Sequence, residues 1–181
     1  MGRYGVDWLR GKIRNNERVQ FLHFWGHTNS SGSPTGKFCL SQWFESPFRV
    51  AGVEYLTAEH WMMAQKALLF DDSEAYQKIL MARTPGEAKH LGRHVSNYDQ
   101  TVWDQRKYEI VKEGSLHKFS QNPVHLEFLL GTAQRVLVEA SPLDSVWGVG
   151  LAHEDPRIED VATWPGQNLL GFALMEARDD L

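Results

Sequence analysis

The sequence predicts a mainly α-helical fold with a small antiparallel β-sheet near the N-terminus, which is the α+β class. Three observations lead to this prediction. Helix start signals recur from residue 57 onward, and strand-like aromatic runs concentrate in the first 55 residues. The third observation is size, because 181 residues with 42% hydrophobic and 23% charged side chains suit one globular domain. We expect residues 1–18 to be a polar N-terminal extension and residues 19–181 to form a single domain.

The N-terminal elements are predicted from aromatic content and from breaker residues. Residues 1–18 carry several basic side chains and few acids, which is typical of a solvated extension or a short helix. Residues 21–26 are strand-like, and residues 27–36, rich in Ser, Gly, Thr and Pro, break that strand. Residues 37–41 then resemble a returning strand, and residues 49–55, which alternate around Gly52, a third short strand or a turn. Together they predict the small antiparallel sheet.

The rest of the chain is predicted to be helical apart from one strand. Thr57 is a suitable N-cap for the first helix, and Thr84-Pro85-Gly86-Glu87 is a capping box with proline at the first helical position. The other boundaries rest on similar caps and on glycines that stop helices. The predicted helices span residues 57–70, 72 or 73–83, 84–92, 99 or 101–119, 125–130 and 169–178, and the strand spans residues 135–140.

Composition excludes several classes of protein. The formal net charge of −4 provides no positive field for stable binding of duplex nucleic acid, so a small-molecule substrate is favoured. No apolar run approaches the length of a membrane span, and Cys39 is the single cysteine, so we expect a cytoplasmic protein. Dinucleotide and P-loop fingerprints are missing, and the paired histidines lack the carboxylates of a zinc site. We therefore expect no cofactor and no metal.

The helix predicted at residues 57–70 carries the strongest candidate for chemistry. Glu59 and Lys66 are seven residues apart, which places both side chains on one face of an otherwise apolar helix. Such a pair is either structural, as an ion pair or a link to a neighbouring loop, or part of a reaction site. The pattern alone leaves both interpretations open.

Three further clusters could bind a ligand. Asp144, Trp147, Gly148 and Gly150 form a loop that offers a carboxylate, a stacking face and close backbone approach. The alternative is a tight turn with Trp147 as a core residue. Asn168 either binds a ligand or caps the last helix. Gly92-Arg93 with Trp103 and Arg106 can supply cations and an aromatic platform, or merely surface ion pairs and a half-buried tryptophan.

The clusters occur in an order and spacing that resemble the NADAR family, also called YbiA-like proteins. The resemblance extends from about residue 21 to 178, and the sequence departs from it at Gln42-Trp43, where members commonly have asparagine and another aromatic residue. The matching motifs lie at residues 41–48, 59–67, 92–93, 103, 118–122, 129–132, 138–141, 144–150 and 168–171.

This resemblance implies a mainly helical YbiA-like fold and an N-glycosidase activity. Members similar to this chain cleave the bond between ribose phosphate and an amino-pyrimidine in early riboflavin intermediates, as metabolite damage control. Other members remove ADP-ribose from guanine. The expected partner is therefore a small phosphorylated ribosylamine or an ADP-ribosylated guanine. Both substrates join ribose C1 to an exocyclic nitrogen of a heteroaromatic ring, and both carry phosphate.

Two catalytic routes fit that linkage. In direct hydrolysis, Glu59 or Asp144 stabilises an oxocarbenium-like transition state or activates water. In the second route, Lys66 forms a Schiff base with the ring-opened sugar. We expect Glu59, Lys66 and the Trp147 loop to share one cavity. Substrate contacts are expected from Trp43 and Phe44 in the aromatic loop, from Trp103, from Arg93 or Lys118 at phosphate, and from Trp147, Gly148 and Asn168.

A non-catalytic alternative uses the same residues. The pocket could bind ADP-ribose or an NAD-like nucleotide as a sensor without cleaving it. The Glu59–Lys66 pair favours the enzyme, because a sensor has no need of a buried acid and amine beside a second carboxylate.

Overall fold

A computed structural model describes residues 2–29 and 32–181, so Ser30 and Ser31 of the predicted loop lie outside the described residues. Within the described part, seven α-helices and four short β-strands are present, which confirms the mainly helical α+β class. The chain divides into two compact units. Unit 1 comprises Met1–Ser41 with Val124–Leu181, and unit 2 comprises Gln42–Pro123. The predicted boundary between an extension and a single domain stays a prediction.

Unit 2 begins with an aromatic loop and an antiparallel hairpin and is otherwise helical. The hairpin turns at Ala51 and Gly52, both with positive φ (49° and 83°), as tight two-residue hairpin turns require. An antiparallel pair is thus present near the N-terminus, but it lies within residues 48–55, which are predicted to form one short strand or a turn. The elements of unit 2 are β2 (Phe48–Val50), β3 (Val53–Tyr55), α2 (Ala58–Leu69), α3 (Ser73–Leu80), α4 (Pro85–Gly92) and α5 (Gln100–Ser120).

Each helix of unit 2 starts at a side-chain cap. The caps of α2, α3, α4 and α5 are Thr57, Asp72, Thr84 and Asp99, and each accepts a hydrogen bond from a backbone N–H of the first turn. A capping box is predicted at residues 84–87, and the Thr84 cap is present. The Glu87 side chain also turns back to the helix start, where its Oε2 accepts from the backbone N–H of Arg83, the residue before the cap, at 2.8 Å.

Helix α2 lies at the centre of unit 2 and is buried on nearly all sides. Its Trp61 indole donates to the Ile110 carbonyl of α5 at 2.8 Å. Gly114 of α5 lies against the same indole, because a Cβ at that position would stand 2.3 Å from Trp61 Cδ1. The small residue therefore lets α5 approach α2 closely enough for this hydrogen bond.

Unit 1 is organised around a parallel strand pair with a helix packed on it. Strands β1 and β4 pair in parallel from Phe21↔Val136 to Phe24↔Glu139. Gly171 of α7 touches β4, since a Cβ there would lie 2.1 Å from the Leu137 carbonyl oxygen. The elements of unit 1 are α1 (Val6–Arg14), β1 (Phe21–Phe24), β4 (Val136–Glu139) and α7 (Leu169–Asp180); α6 (Pro123–Gly131) begins at the boundary residue.

The returning strand predicted at residues 37–41 is wrong. Lys37–Leu40 forms a 3₁₀ turn, in which the adjacent residues Cys39 and Leu40 are both fully buried. A half-buried strand would turn neighbouring side chains to opposite faces, and this apolar run has no such alternation. Strand β1 pairs instead with β4, whose first three residues are apolar and include Val136 and Val138, and the pairing is parallel.

The N-terminal segment is a short helix, as one of the two predicted alternatives has it, and it is partly buried. Leu9 of α1 has no exposed surface, and the Trp8 and Phe172 rings meet edge to face at 6.5 Å. The Arg3 N–H donates to Glu176 Oε1 at 2.6 Å and the Tyr4 hydroxyl to Asp179 Oδ2 at 2.6 Å. Across the described ranges, no helix has the length and apolar character needed to cross a bilayer.

Candidate active site

Lys66 lies near the end of α2, and its amine contacts a backbone carbonyl and two aromatic rings. Its Nζ donates a hydrogen bond to the Gly92 carbonyl oxygen at 2.8 Å. The same nitrogen lies 4.1 Å from the centroid of the Tyr98 ring and 5.6 Å from that of Trp103. The amine is thus held by one neutral acceptor and two aromatic rings.

Burial shifts the Lys66 amine toward its neutral form. Lys66 is only 9% exposed, and burial lowers the pKa of its ammonium below the ordinary value because the charged form loses hydration. In the part of the chain that the structure describes, no carboxylate forms an ion pair with Lys66. Lys66 therefore forms no ion pair with Glu59. Its hydrogen bond to the Gly92 carbonyl is a link to a neighbouring segment, as the structural interpretation also expects, so the catalytic role of Lys66 stays a prediction. A buried lysine of this kind is a common catalytic nucleophile.

Gly92 has a geometric role that the sequence pattern did not reveal. A Cβ at this position would stand 2.1 Å from Met63 Sδ and 2.8 Å from Met63 Cγ. Only glycine lets the end of α4 come this close to α2, and that approach brings the Gly92 carbonyl to Lys66. Gly92 therefore contributes to the surroundings of Lys66. The contact of Arg93 with a phosphate stays a prediction.

Glu59 lies in the first turn of α2 and is 2% exposed. Its N–H donates to the Gln42 carbonyl oxygen at 3.0 Å, and the Ser46 N–H donates to the Leu56 carbonyl oxygen at 3.2 Å. These two bonds fix the aromatic loop to the start of α2. The Gln42 amide and the Ser46 hydroxyl are buried, and neither has a hydrogen-bond partner among the described residues.

The other predicted residues of unit 2 differ in how far they are available to a ligand. Phe44 and Trp43 are half-buried, and the Trp43 ring lies against Gly86 with the Lys89 amine 5.6 Å from its centroid. Arg93 is exposed just after α4, and its guanidinium makes no hydrogen bond or ion pair with any described residue. The predicted phosphate ligand Lys118, in contrast, has no exposed surface.

In unit 1, the predicted loop at residues 144–150 is a tight, hydrogen-bonded turn. Asp144 Oδ1 accepts from the N–H groups of Val146 and Trp147 at 2.9 and 2.8 Å, which fixes the half-buried Trp147. Gly148 is buried with no room for a Cβ, which would lie 2.9 Å from the carbonyl oxygens of Asp144 and Glu139. The turn alternative is thus present, and it leaves an indole partly exposed beside a carboxylate.

Asn168 has a structural use for both ends of its amide. Its Nδ2 donates to the Leu137 carbonyl oxygen at 2.9 Å, and its Oδ1 accepts from the Glu139 N–H at 2.9 Å. The residue occupies the N-cap position of α7 in the left-handed region (φ 54°), and its side chain makes no cap bond. Asn168 therefore holds strand β4, and its contact with a sugar hydroxyl stays a prediction.

The structure brings together some of the predicted residues. Lys66 and Trp103 meet with Gly92 in unit 2, and Asp144, Trp147 and Gly148 meet in unit 1. The cavity expected to join Glu59, Lys66 and the Trp147 loop stays a prediction. A cavity of about 420 Å³ lined by α1 and residues 160–162 contains none of the predicted site residues.

Tyr98 is a site residue that sequence reasoning missed, although a signal was present. Asp99 is the N-cap of α5, so Tyr98 is the residue before the cap and Trp103 is the fourth helical residue. Aromatic or apolar residues at these two positions commonly pack on each other as a hydrophobic staple. That rule, applied to residues 98–103, would have placed Tyr98 beside Trp103.

Comparisons with known proteins agree with this architecture. The NADAR domain model matches residues 23–181. An N-glycosidase of Acanthamoeba polyphaga mimivirus is 40% identical over 169 residues, which cover 91% of this chain and 98% of that protein. The chloroplastic riboflavin biosynthesis protein PYRR of Zea mays is 34% identical over 132 residues, 69% of this chain but 19% of that protein. The NMR structure of E. coli YbiA matches with a TM-score of 0.71 at 26% identity, covering 90% of this chain and 85% of that chain.

These matches confirm the expected YbiA-like fold. Further relatives also carry the name N-glycosidase, which confirms the expectation of a hydrolase that acts on N-glycosyl bonds. The family model covers nearly the whole chain, and the chain belongs to the NADAR family.

Proposed function

We propose that the enzyme hydrolyses the C1–N bond between a phosphorylated ribose and an exocyclic nitrogen of a heteroaromatic base. The substrates in view are ribosylaminopyrimidine phosphates of the riboflavin pathway and ADP-ribosylated guanine. The similarity to a riboflavin biosynthesis protein supports the first of them. The observation that carries the proposal is the Lys66 amine, which is buried, bonded to a carbonyl and lowered in pKa.

The exocyclic linkage makes a covalent route possible. Protonation at the ring oxygen and opening of the ribose convert the C1–N bond into an iminium. The neutral Lys66 amine then adds to C1, and transfer of its proton to the exocyclic nitrogen releases the base as an amine. Water adds to the resulting lysine iminium, the C–Nζ bond breaks, and the sugar leaves as an aldehyde that recloses. A lowered lysine pKa supplies the free amine for this step.

The remaining predicted residues have supporting roles. Arg93 would bind phosphate, since its exposed guanidinium is free among the described residues. Glu59 would activate the water or carry protons, Asp144 would be the alternative carboxylate, and Trp147 would stack on the base. In the direct-hydrolysis alternative, Glu59 or Asp144 would stabilise an oxocarbenium-like state without a covalent bond to Lys66.

Trapping with borohydride under turnover tests the proposal. We expect substrate-dependent reduction to attach the sugar to Lys66, detected by peptide mass spectrometry. Lys66→Met should release no base, and Lys66→Arg, which keeps the charge without a nucleophilic amine, should behave in the same way. Base release without any Lys66 adduct would support direct hydrolysis instead. Binding of either substrate with no base release would support the sensor alternative.

A further inference from the structure

Tyr98 is the aromatic group nearest to the Lys66 amine, at 4.1 Å from Nζ to the ring centroid. Trp103 lies further away at 5.6 Å, and among residues 2–29 and 32–181 the Gly92 carbonyl is the one hydrogen-bond acceptor of Lys66 Nζ. Tyr98 lies outside the helices and is 41% exposed, so it is not a core residue. An exposed aromatic ring placed over a buried amine calls for an explanation beyond packing.

We infer that Tyr98 is a positioning residue, whose ring face holds the Lys66 amine at the place where it meets the sugar. The inference rests on the proposed function of Lys66. An aromatic face attracts an ammonium through its quadrupole, by an amount that grows as the site loses water. A carboxylate at the same distance would also hold the amine, but it would keep the lysine protonated. The ring attracts the ammonium more weakly than a carboxylate would, so it positions the nitrogen before the proton is lost and opposes that loss less.

Tyr98 is itself held in place by two side-chain contacts and by the capped helix start that follows it. Its hydroxyl donates to Gln100 Oε1 at 2.8 Å, and its ring meets Phe70 edge-on with centroids 5.3 Å apart. The next residue, Asp99, caps α5 by accepting from Val102 N–H at 3.0 Å. A ring fixed in this way can orient a flexible lysine side chain, which otherwise samples many rotamers.

Kinetics of two variants at position 98 test the inference. Tyr98→Phe keeps the ring face and loses only the hydroxyl, so kcat should stay within about threefold of the wild-type value. Tyr98→Leu keeps apolar cover and loses the π face, and we expect kcat to fall about 10-fold with KM nearly unchanged, the size of a partly desolvated cation–π contact. The limb of the pH–kcat/KM profile that belongs to Lys66 should move to lower pH in Tyr98→Leu, because the ammonium loses an attraction.

A second measurement separates the π face from the shape of the ring. Phenylalanines with increasing numbers of fluorine atoms, incorporated at position 98, keep the ring and progressively weaken its negative face. We expect kcat to fall stepwise with fluorination while the melting temperature stays constant.

Failure of this inference is distinguishable from failure of the proposed function. If the wild type releases no base from either substrate, the proposed function fails. If Lys66→Met keeps releasing base, the covalent route through Lys66 is wrong, and the inference about Tyr98 fails with it. If Lys66→Met is inactive while Tyr98→Leu matches the wild type, or while the fluorinated series is flat, Tyr98 does not position Lys66. A loss in Tyr98→Phe equal to that in Tyr98→Leu would also overturn the inference, since the hydroxyl would then carry the effect.

Discussion

At the scale of single residues, the buried Lys66 makes stability depend on pH in an unusual direction. Its pKa is lowered in the folded state, so the unfolded chain binds more protons between that lowered pKa and the ordinary lysine value. Folded stability should therefore rise, relative to Lys66→Met, as the pH climbs through this interval. Denaturant unfolding of both proteins from pH 7 to 10 measures the difference.

The exposed Lys78 is the matched control for that experiment. Its pKa is raised by the hydrogen bond to Glu74, so its charge does not change between pH 7 and 10. The stability difference between the wild type and Lys78→Met should therefore be flat across the same range. A flat curve for Lys66→Met as well would show that Lys66 is not desolvated in solution.

The Gln42 amide gives a second prediction at the residue scale. A buried amide without partners costs free energy, so Gln42→Met, which keeps length and removes the polar ends, should raise the free energy of unfolding by about 1 kcal/mol. If the amide faces the substrate, kcat/KM falls in the same variant. Thermal unfolding and steady-state kinetics measure the two effects.

Gln121 provides the opposite case within unit 2. Both ends of its side-chain amide are hydrogen-bonded to Arg49. Gln121 Oε1 accepts from the Arg49 N–H at 2.9 Å, and Gln121 Nε2 donates to the Arg49 carbonyl oxygen at 2.9 Å. Gln121→Met should therefore destabilise the protein. A loss of stability in Gln42→Met of similar size would contradict the view that its amide lacks partners.

The residues that sequence could reveal are those with local signatures. Glu59 and Lys66 stand out because they interrupt an apolar helix, and Asp144 because its turn is built from neighbours in the chain. The residues around Lys66 come from α2, from the end of α4 and from the start of α5. No local pattern joins Gly92 to Lys66, so this contact depends on packing that the sequence does not spell out.

At the scale of elements, the contact between α2 and α4 gives a third prediction. Gly92→Ala would place a methyl group into Met63, so we expect a loss of about 1–3 kcal/mol and a displaced Gly92 carbonyl. Truncating the Met63 side chain with Met63→Ala makes room for that methyl group, so it should recover part of the stability lost in Gly92→Ala. Chemical denaturation of the two single variants and the double variant measures this coupling.

Gly11 in α1 is the control for the glycine itself. A Cβ there meets nothing within 4 Å, so Gly11→Ala should stabilise the protein by about 0.5–1 kcal/mol through helix propensity. Additive effects in Gly92→Ala and Met63→Ala would argue that the two residues do not touch.

Helix boundaries were predicted well because caps are local. Thr57, Thr84 and Asp99 all act as the sequence indicates. The partner of β1 was not predictable in the same way, because strand pairing depends on residues far apart in the chain. The short apolar run at residues 37–41 has a strand-like pattern as well, but β4 pairs with β1.

At the scale of the whole molecule, the N-terminal segment belongs to the folded body of unit 1. Leu9→Ala should cost about 2–5 kcal/mol because it empties a fully buried site, and removal of residues 2–18 should cost more. Ile13 lies on the same helix and is 42% exposed, so Ile13→Ala should change stability little. A melting temperature unaffected by the deletion would show that α1 is detached in solution.

Unit 2 is continuous in the chain, whereas unit 1 is assembled from both termini. During synthesis, residues 42–123 are translated before β4, the partner of β1. The helices of unit 2 can then form early through contacts close in the chain, and the parallel strand pair must wait for a long loop to close. Unit 2, which contains Lys66, can therefore fold while β1 still has no partner strand. At that stage the unpaired edge of β1 is exposed, and aggregation competes with folding.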